Sequence, residues 1–187
     1  FFYRFQYLEL RAGERTSLFA WARDILRAAA ERENSDGQRL PRYAESRLPV
    51  LEQSIMADQA VRSDFEELNL AVWLTNLKTY VGPATQRAVL GAETPDALAH
   101  RLAQSRLADP AFRQQLWDGG AAAVAASDDP MIVFVRAWDA DARALRERYL
   151  DVVDGPIELA QEKIAQARFR AFGQSVYPDA TFTPRLS

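Results

Sequence analysis

The single histidine of this sequence, His100, is the first residue whose type suits catalysis. An imidazole acts as a general base when its substrate's proton lies within hydrogen-bond reach. The polar residues near it on a predicted helix are Arg101 and Gln104, and no serine or aspartate motif is linked to it. We therefore interpret His100 as a surface or partly packed side chain.

A second candidate is the acidic run Ser127-Asp128-Asp129, which stands directly before Pro130. Two neighbouring carboxylates are too few for a calcium loop, and the spacing of an EF-hand is missing. Asp129 before a proline at the first helical position is typical of a helix N-cap. Helix capping is the favoured interpretation, and a divalent-cation site is the alternative.

One later predicted helix has many charged residues, and their pattern is typical of a solvent-exposed face with weak ion pairs. These residues are Asp139, Asp141, Arg143, Arg146, Glu147 and Arg148. Arg168 and Arg170 suit either a carboxylate ligand or the C-terminal dipole of their own helix. The second explanation needs no ligand.

No recognisable catalytic motif completes these candidates. The sequence has no G-x-S-x-G elbow, glycine-rich phosphate loop or H-E-x-x-H pair, and it has no cysteine. We assign no catalytic, cofactor-binding or metal-binding residue and expect no cofactor. The net charge of −3 makes nucleic acid a poor partner, and no apolar run reaches the roughly 20 residues of a membrane span.

The elements that carry these residues have helical periodicity. The patterns predict a mainly α fold with helices at about 15–33, 50–60, 63–81, 95–108, 110–117, 130–153 and 156–172. Ser63-x-x-Glu66 is typical of a capping box. Thr94, Asp109 and Asp129 each precede a proline and are predicted N-caps. Four tryptophans are predicted to lie in the core: Trp21, Trp73, Trp117 and Trp138.

The helix from Pro130 has a heptad seam that runs from Met131 to Val152 and predicts packing against another helix. Asp154-Gly155-Pro156 is expected to break it. The next helix is predicted to bury an apolar face: Ile157, Ala160, Ile164, Ala167 and Ala171. The two helices would form either an antiparallel hairpin or one long helix kinked at Gly155-Pro156.

The last fifteen residues change character, from a turn at Tyr177-Pro178-Asp179 to an alternation at Thr181-Phe182-Thr183. This alternation predicts a strand, and a lone strand needs ladder partners from elsewhere. Because the sequence also begins without Met, we expect it to be one part of a longer protein. The predicted division is a helical domain at 1–173 and a turn with a return strand at 174–187.

Four runs in fixed order then resemble peptidase family S46, the bacterial dipeptidyl-peptidase 7 and 11 type. They are residues 118–123 (DGGAAA), 126–131 (ASDDPM), 163–169 (KIAQARF) and 177–183 (YPDATFT). The resemblance is strongest from about Leu107 onward. Pro184 departs from the apolar residue usual in the family's strand.

The resemblance implies a helical domain inserted into a chymotrypsin-like double β-barrel that carries a Ser-His-Asp triad. Such a domain caps the substrate cleft of an enzyme that releases N-terminal dipeptides. The family's His and Asp lie upstream of this segment and its serine lies downstream, so no catalytic residue is carried over. Family membership also implies a peptide substrate, contact with the catalytic barrel, a homodimer, and a periplasmic or cell-surface location.

Two other classes remain open from the residues alone. A stand-alone helical interaction module would use the seam from Met131 to Val152 to bind a partner helix. A small helical enzyme or metal protein would use His100, Asp128 and Asp129, and stabilisation by a metal would favour it. Burial of the seam within one chain separates the first of these from the domain interpretation.

Overall fold

A computed structural model describes residues 1–13 and 15–173, and these residues form helices and turns without a strand. The chain divides into two compact units, residues Phe1–Leu145 and Arg146–Ser187. The mainly α fold class is thereby confirmed. The predicted strand at 181–183 and the domain boundary at 173 lie at or beyond the end of the described residues.

The first unit contains eight helices among its described residues. They are α1 (Phe2–Phe5), α2 (Ser17–Glu31), α3 (Leu48–Met56), α4 (Ser63–Tyr80), α5 (Pro83–Leu90), α6 (Pro95–Ala103), α7 (Pro110–Ala126) and α8 (Pro130–Tyr149), the last of which runs beyond Leu145. A π-helical turn, Gln6–Leu10, follows α1, and a 3-10 turn, Arg106–Ala108, precedes α7. Helix α4 packs on α6, and α2 packs on α7.

An aromatic cluster fills the centre of this unit. Its rings are Phe19, Trp73, Phe134 and Trp138, and five of their pairs have centroids 5.3 to 6.2 Å apart. All four tryptophans of the sequence are at most 6% exposed, as predicted. Burying such large rings supplies much of the apolar driving force for folding.

Proline-linked caps begin three helices as predicted. The side-chain oxygens of Thr94, Asp109 and Asp129 accept backbone N–H groups in the first turns of α6, α7 and α8. The predicted capping box at Ser63 is wrong, since α4 begins without a side-chain cap. Glu66 instead accepts the backbone N–H groups of Ser17 and Leu18, at 2.8 and 3.1 Å, and so caps α2. The backbone N–H groups in the first turn of α2 have no partner within their own helix, and they donate to the Glu66 carboxylate instead.

Helix α7 is longer than predicted because it restarts after a break at Gly120. Gly120 has φ 58° and ψ −145°, a conformation that side-chain-bearing residues rarely adopt. The Arg32 guanidinium stacks on the Trp117 ring at 4.8 Å and donates to the Trp117 carbonyl oxygen before the break. This arginine therefore satisfies a carbonyl left without a helical partner.

The second unit holds a π-helical turn, Leu150–Asp154, and α9, Gly155–Phe172. Asp154 and Gly155 keep right-handed helical dihedrals, so the expected break at Asp154-Gly155-Pro156 is wrong. Of the two alternatives for this region, the helical backbone excludes a hairpin turn at Gly155. A π turn absorbs the proline because it shifts the backbone hydrogen bonds by one residue.

Candidate functional site

His100 lies on the surface of the first unit, as expected. Its Nδ1 is 3.0 Å from Oε2 of Glu67 on α4, and its side chain is 67% exposed. Glu67 is a hydrogen-bond partner of the imidazole. This pair links α6 to α4 at the surface.

Asp129 is a buried structural cap, which confirms the favoured interpretation of the acidic run. Its carboxylate accepts the Ser105 hydroxyl at 2.9 Å and the backbone N–H groups of Arg106 and Met131 at 2.8 and 3.0 Å. It thereby joins the 3-10 turn to the start of α8. Asp128 is 90% exposed and pairs with the Arg106 side chain. Within residues 1–13 and 15–173, no group of three or more His, Asp or Glu residues is placed to hold a metal ion.

Asp139 corrects the interpretation of its helix as a solvated charged face. It is 5% exposed, and its Oδ1 accepts Nε of Arg27 at 2.7 Å. The same guanidinium binds Glu9 through two hydrogen bonds of 2.9 and 2.7 Å. Arg143 of α8 likewise pairs with buried Glu31. Asp141, Arg146, Glu147 and Arg148 are exposed, as expected.

The Glu9–Arg27–Asp139 cluster holds three chain segments together. Burial is the largest influence on Arg27 and lowers its pKa, but the hydrogen bonds and charges of both carboxylates raise it above the ordinary value. Burial raises the pKa of Asp139, and the attraction of Arg27 opposes that rise. Losing one member would leave a buried charge without its partner, which is strongly destabilising. The cluster therefore fixes the π-helical turn against α2 and α8.

Two arginines that bind backbone carbonyls are structural residues that the sequence patterns did not predict. Arg113 is fully buried, and its guanidinium donates to carbonyl oxygens of Ile55, Ala57 and Leu107. Arg136 donates to two carbonyls at the end of α7. The available signal was position, since Arg113 stands three residues before Leu116, on an apolar face.

Three large apolar side chains form an exposed stripe on α4. Phe65, Leu68 and Val72 are 53, 61 and 54% exposed, and their spacing places them on one face. At the C-terminal end of this helix the Tyr80 ring stacks on Tyr3 and on Tyr7, with centroids 5.6 and 5.5 Å apart. Contiguous exposed apolar groups mark surfaces that contact another molecule or domain.

The predicted seam of α8 lies in the core for most of its length. Met131, Val135, Trp138, Ala142 and Leu145 are 0 to 8% exposed, whereas Val152 is 54% exposed. The face of α9 that was predicted to be buried is exposed throughout, so that prediction is wrong. Arg170 lies in the last turn of α9, where its charge suits the helix dipole.

Together these observations describe a helical fold with an exposed apolar stripe, in which the buried groups of Asp129, Arg113 and the Glu9–Arg27–Asp139 cluster cap helices or join distant segments. A family model described as Peptidase S46 matches residues 2–187. The chain therefore belongs to peptidase family S46. A search of curated proteins found no match. Within the described part of the chain, no helix is both long and apolar enough to cross a membrane.

Proposed function

We propose that this chain is the helical domain of a serine dipeptidyl-peptidase and that it caps the substrate cleft. The observation that carries the proposal is the family match over residues 2–187, joined to a helical fold. In this proposal the catalytic triad belongs to a β-barrel domain outside the chain. The parent enzyme would release N-terminal dipeptides in the periplasm or at the cell surface, as a homodimer.

The stripe of Phe65, Leu68 and Val72 is the surface that would face the cleft or the barrel. A domain that only filled space would not need three large apolar side chains, each more than half exposed, on one helix face. Capping by such a surface excludes water and long substrates from a cleft. The polar clusters described above would keep α4 in place during that role.

A stand-alone interaction module is the other candidate function. Its support was the heptad seam of α8, and that seam is packed inside the first unit from Met131 to Leu145. This burial favours the domain proposal, because a seam already used in the core is not open to a partner helix.

The test uses the protein encoded by the whole parent gene and a fluorogenic dipeptidyl substrate. We expect Leu68→Asp to lower kcat/KM about tenfold, because a charge would be placed against the cleft or barrel. Val50→Asp is the matched control, since Val50 is 69% exposed on a different helix, α3. Equal activity of the two variants would remove the stripe from the capping role. No dipeptide release by the wild-type parent would reject the proposed function as a whole.

A further inference from the structure

Three Asp-Gly peptides occur in the sequence: Asp36-Gly37, Asp118-Gly119 and Asp154-Gly155. Such a peptide can rearrange without an enzyme, because the backbone nitrogen of the glycine can attack the side-chain carboxyl carbon of the aspartate. The N–H proton and the carboxyl hydroxyl leave as water, and a five-membered succinimide ring forms. Glycine favours this step because it has no Cβ beside its nitrogen. Water then opens the ring and gives either aspartate or isoaspartate, whose backbone runs through the former side chain.

A helical backbone protects two of these peptides. Asp118 and Gly119 lie inside α7, where each backbone N–H donates to the carbonyl oxygen four residues earlier. Asp154 has helical dihedrals, and the N–H of Gly155 donates to the carbonyl oxygen of Leu150. In both peptides the attacking nitrogen is held in a helical hydrogen bond, so the helix must open locally before the ring can form.

Asp36-Gly37 lies in a different backbone environment. Both residues are exposed, and they belong to a single 3-10 turn, Asp36–Gln38, after the end of α2. The backbone hydrogen bonds of this turn are donated by Gln38 and Arg39, at 2.9 and 3.1 Å, to the carbonyl oxygens three residues earlier. Among the described residues none accepts the N–H of Gly37, which is one of the orphan donors at the start of a helix. The attacking nitrogen of this peptide is therefore available.

The space around the glycines points to the same peptide. A Cβ built on Gly37 would have no atom within 4 Å, so a ring can form there without displacing a neighbour. A Cβ built on Gly119 would lie 2.4 Å from the Cβ of Ala123, which makes the surroundings of Asp118 crowded. Asp118 is also held by its side chain, whose Oδ1 accepts Nε2 of Gln114 at 2.9 Å.

The peptide Asn34-Ser35 is a neighbouring competitor, since asparagine forms the same ring with loss of ammonia. Its attacking residue is a serine, whose Cβ hinders the nitrogen. The carbonyl oxygen of Asn34 also accepts Nε of Arg39 at 3.0 Å, which restrains this peptide. Both features favour Asp36-Gly37 as the reacting peptide.

We propose that Asp36-Gly37 is a site of spontaneous isoaspartate formation in the folded protein and that the fold protects the other two Asp-Gly peptides. The inference goes beyond the proposed function, since it concerns a covalent change of the backbone. It needs neither the catalytic barrel nor peptidase activity, so the two proposals can fail separately.

The modification would alter the connection between α2 and α3. The Oδ1 atom of Asp36 accepts the N–H of Glu45 at 2.6 Å, and Arg39 forms an ion pair with Glu45 across the same loop. Isoaspartate adds a methylene group to the backbone and leaves a carboxylate on a side chain that is one carbon shorter. The net charge is unchanged, but the carboxylate no longer lies where the N–H of Glu45 donates.

The test is incubation of the full chain, folded in buffer and unfolded in urea. Peptide mapping by mass spectrometry locates isoaspartate, and a carboxyl methyltransferase specific for isoaspartate labels it independently. We expect about tenfold more isoaspartate at Asp36 than at Asp118 or Asp154 in the folded protein, because a helical amide reacts only after local opening. In urea the three peptides should react at similar rates.

Gly37→Ala should slow the reaction at Asp36 several-fold, because the new Cβ hinders the attacking nitrogen. The fold should tolerate this change, since the site is open and exposed. Gly82→Ala is the matched control, because a Cβ on Gly82 also has no atom within 4 Å and no aspartate precedes it. This control should leave the isoaspartate content at Asp36 unchanged.

Three results would overturn the proposal. Equal isoaspartate contents at the three Asp-Gly peptides of the folded protein would show that the fold does not select among them. Isoaspartate at Asp36 in urea but not in the folded protein would show that the 3-10 turn protects this peptide. Isoaspartate at Asn34 instead, with the mass gain of deamidation that Asp36 cannot produce, would move the site to the Asn34-Ser35 peptide.

Discussion

Arg113 offers the sharpest test of how this fold is held together, because it is a fully buried cation whose hydrogen-bond acceptors are backbone carbonyls. Its Nε donates to Ile55 O at 2.7 Å and its Nη1 to Leu107 O at 2.6 Å. The guanidinium also lies 3.9 Å from the centre of the Trp21 ring. Burial lowers the pKa of Arg113, in keeping with a charge taken out of water. The side chain thus connects the end of α3 to the 3-10 turn before α7.

The substitution Arg113→Met keeps the apolar stem and removes every donor. Ile55 and Leu107 are 0% exposed, so their carbonyl oxygens would lose a partner that water cannot easily replace. Each buried unsatisfied acceptor costs about 1–3 kcal/mol. Removing the buried charge returns part of that loss. We therefore expect the free energy of unfolding to fall by about 2–4 kcal/mol.

Arg113→Lys should cost nearly as much, although it keeps the charge. An ammonium group is a compact donor and cannot span carbonyls on two chain segments as the planar guanidinium does. Urea unfolding followed by tryptophan fluorescence measures both variants. Arg101→Met is the control, because Arg101 forms an exposed ion pair with Glu93 and such pairs contribute about 0–1 kcal/mol.

The refuting result for Arg113→Met is a loss below about 1 kcal/mol, comparable with the Arg101 control. The gain from no longer burying a charge would then equal the loss of the carbonyl contacts. If Arg113→Met loses the expected stability while the free energy of unfolding of Arg113→Lys stays at the wild-type value, the site requires a positive charge and not the shape of the guanidinium.

Three further predictions concern other buried polar groups. Asp129→Ala should lower the free energy of unfolding by about 3 kcal/mol, since two segments lose a shared cap, whereas exposed Asp128→Ala should leave urea unfolding unchanged. Trp73→Phe should lower the free energy of unfolding by about 1–2 kcal/mol more than Trp138→Phe does. The reason is that Trp73 Nε1 donates to a carbonyl at 2.9 Å, whereas buried Trp138 Nε1 has no partner among the described residues. Equal losses would contradict this. Burial raises the pKa of Asp139, so as the pH falls its carboxylate takes up a proton in the folded state before it does so in the unfolded chain. The contribution of Asp139 to the free energy of unfolding therefore rises as the pH falls from the raised pKa to the ordinary one. Asp139→Asn should remove that contribution, so the free energy of unfolding should fall less steeply with falling pH in wild type than in the variant. An equal or steeper fall in wild type would contradict this.

Much of the helical framework could be predicted from local sequence. The cap-and-proline pairs at Thr94, Asp109 and Asp129 act within one helical turn, so the signal and its structural consequence lie within a few residues. Burial of the four tryptophans likewise follows from their size and apolar surface. The resemblance to peptidase family S46 also came from short runs in a fixed order, and the family match confirmed it.

Polar partnerships between distant segments could not be predicted in this way. Glu66 has the spacing of a local capping box, but it caps a helix that begins 49 residues earlier. Asp139 reads as part of a solvated charged face, but it meets Arg27 across 112 residues. In both cases the competing donors are brought to the carboxylate by packing of α2, which no local pattern encodes.

The sequence by itself determined the helix content, the proline-marked helix starts and the family, because each depends on residues close together in the chain or in fixed order. Tertiary structure alone decided which apolar face is buried and which carboxylate meets which arginine. The apolar positions of α8 from Met131 to Leu145 and those of α9 from Ile157 to Ala171 have the same heptad spacing, yet the first set lies in the core and the second is exposed. Amphipathic spacing indicates that a helix has an apolar face, but whether that face is buried depends on the surface that the rest of the fold places against it.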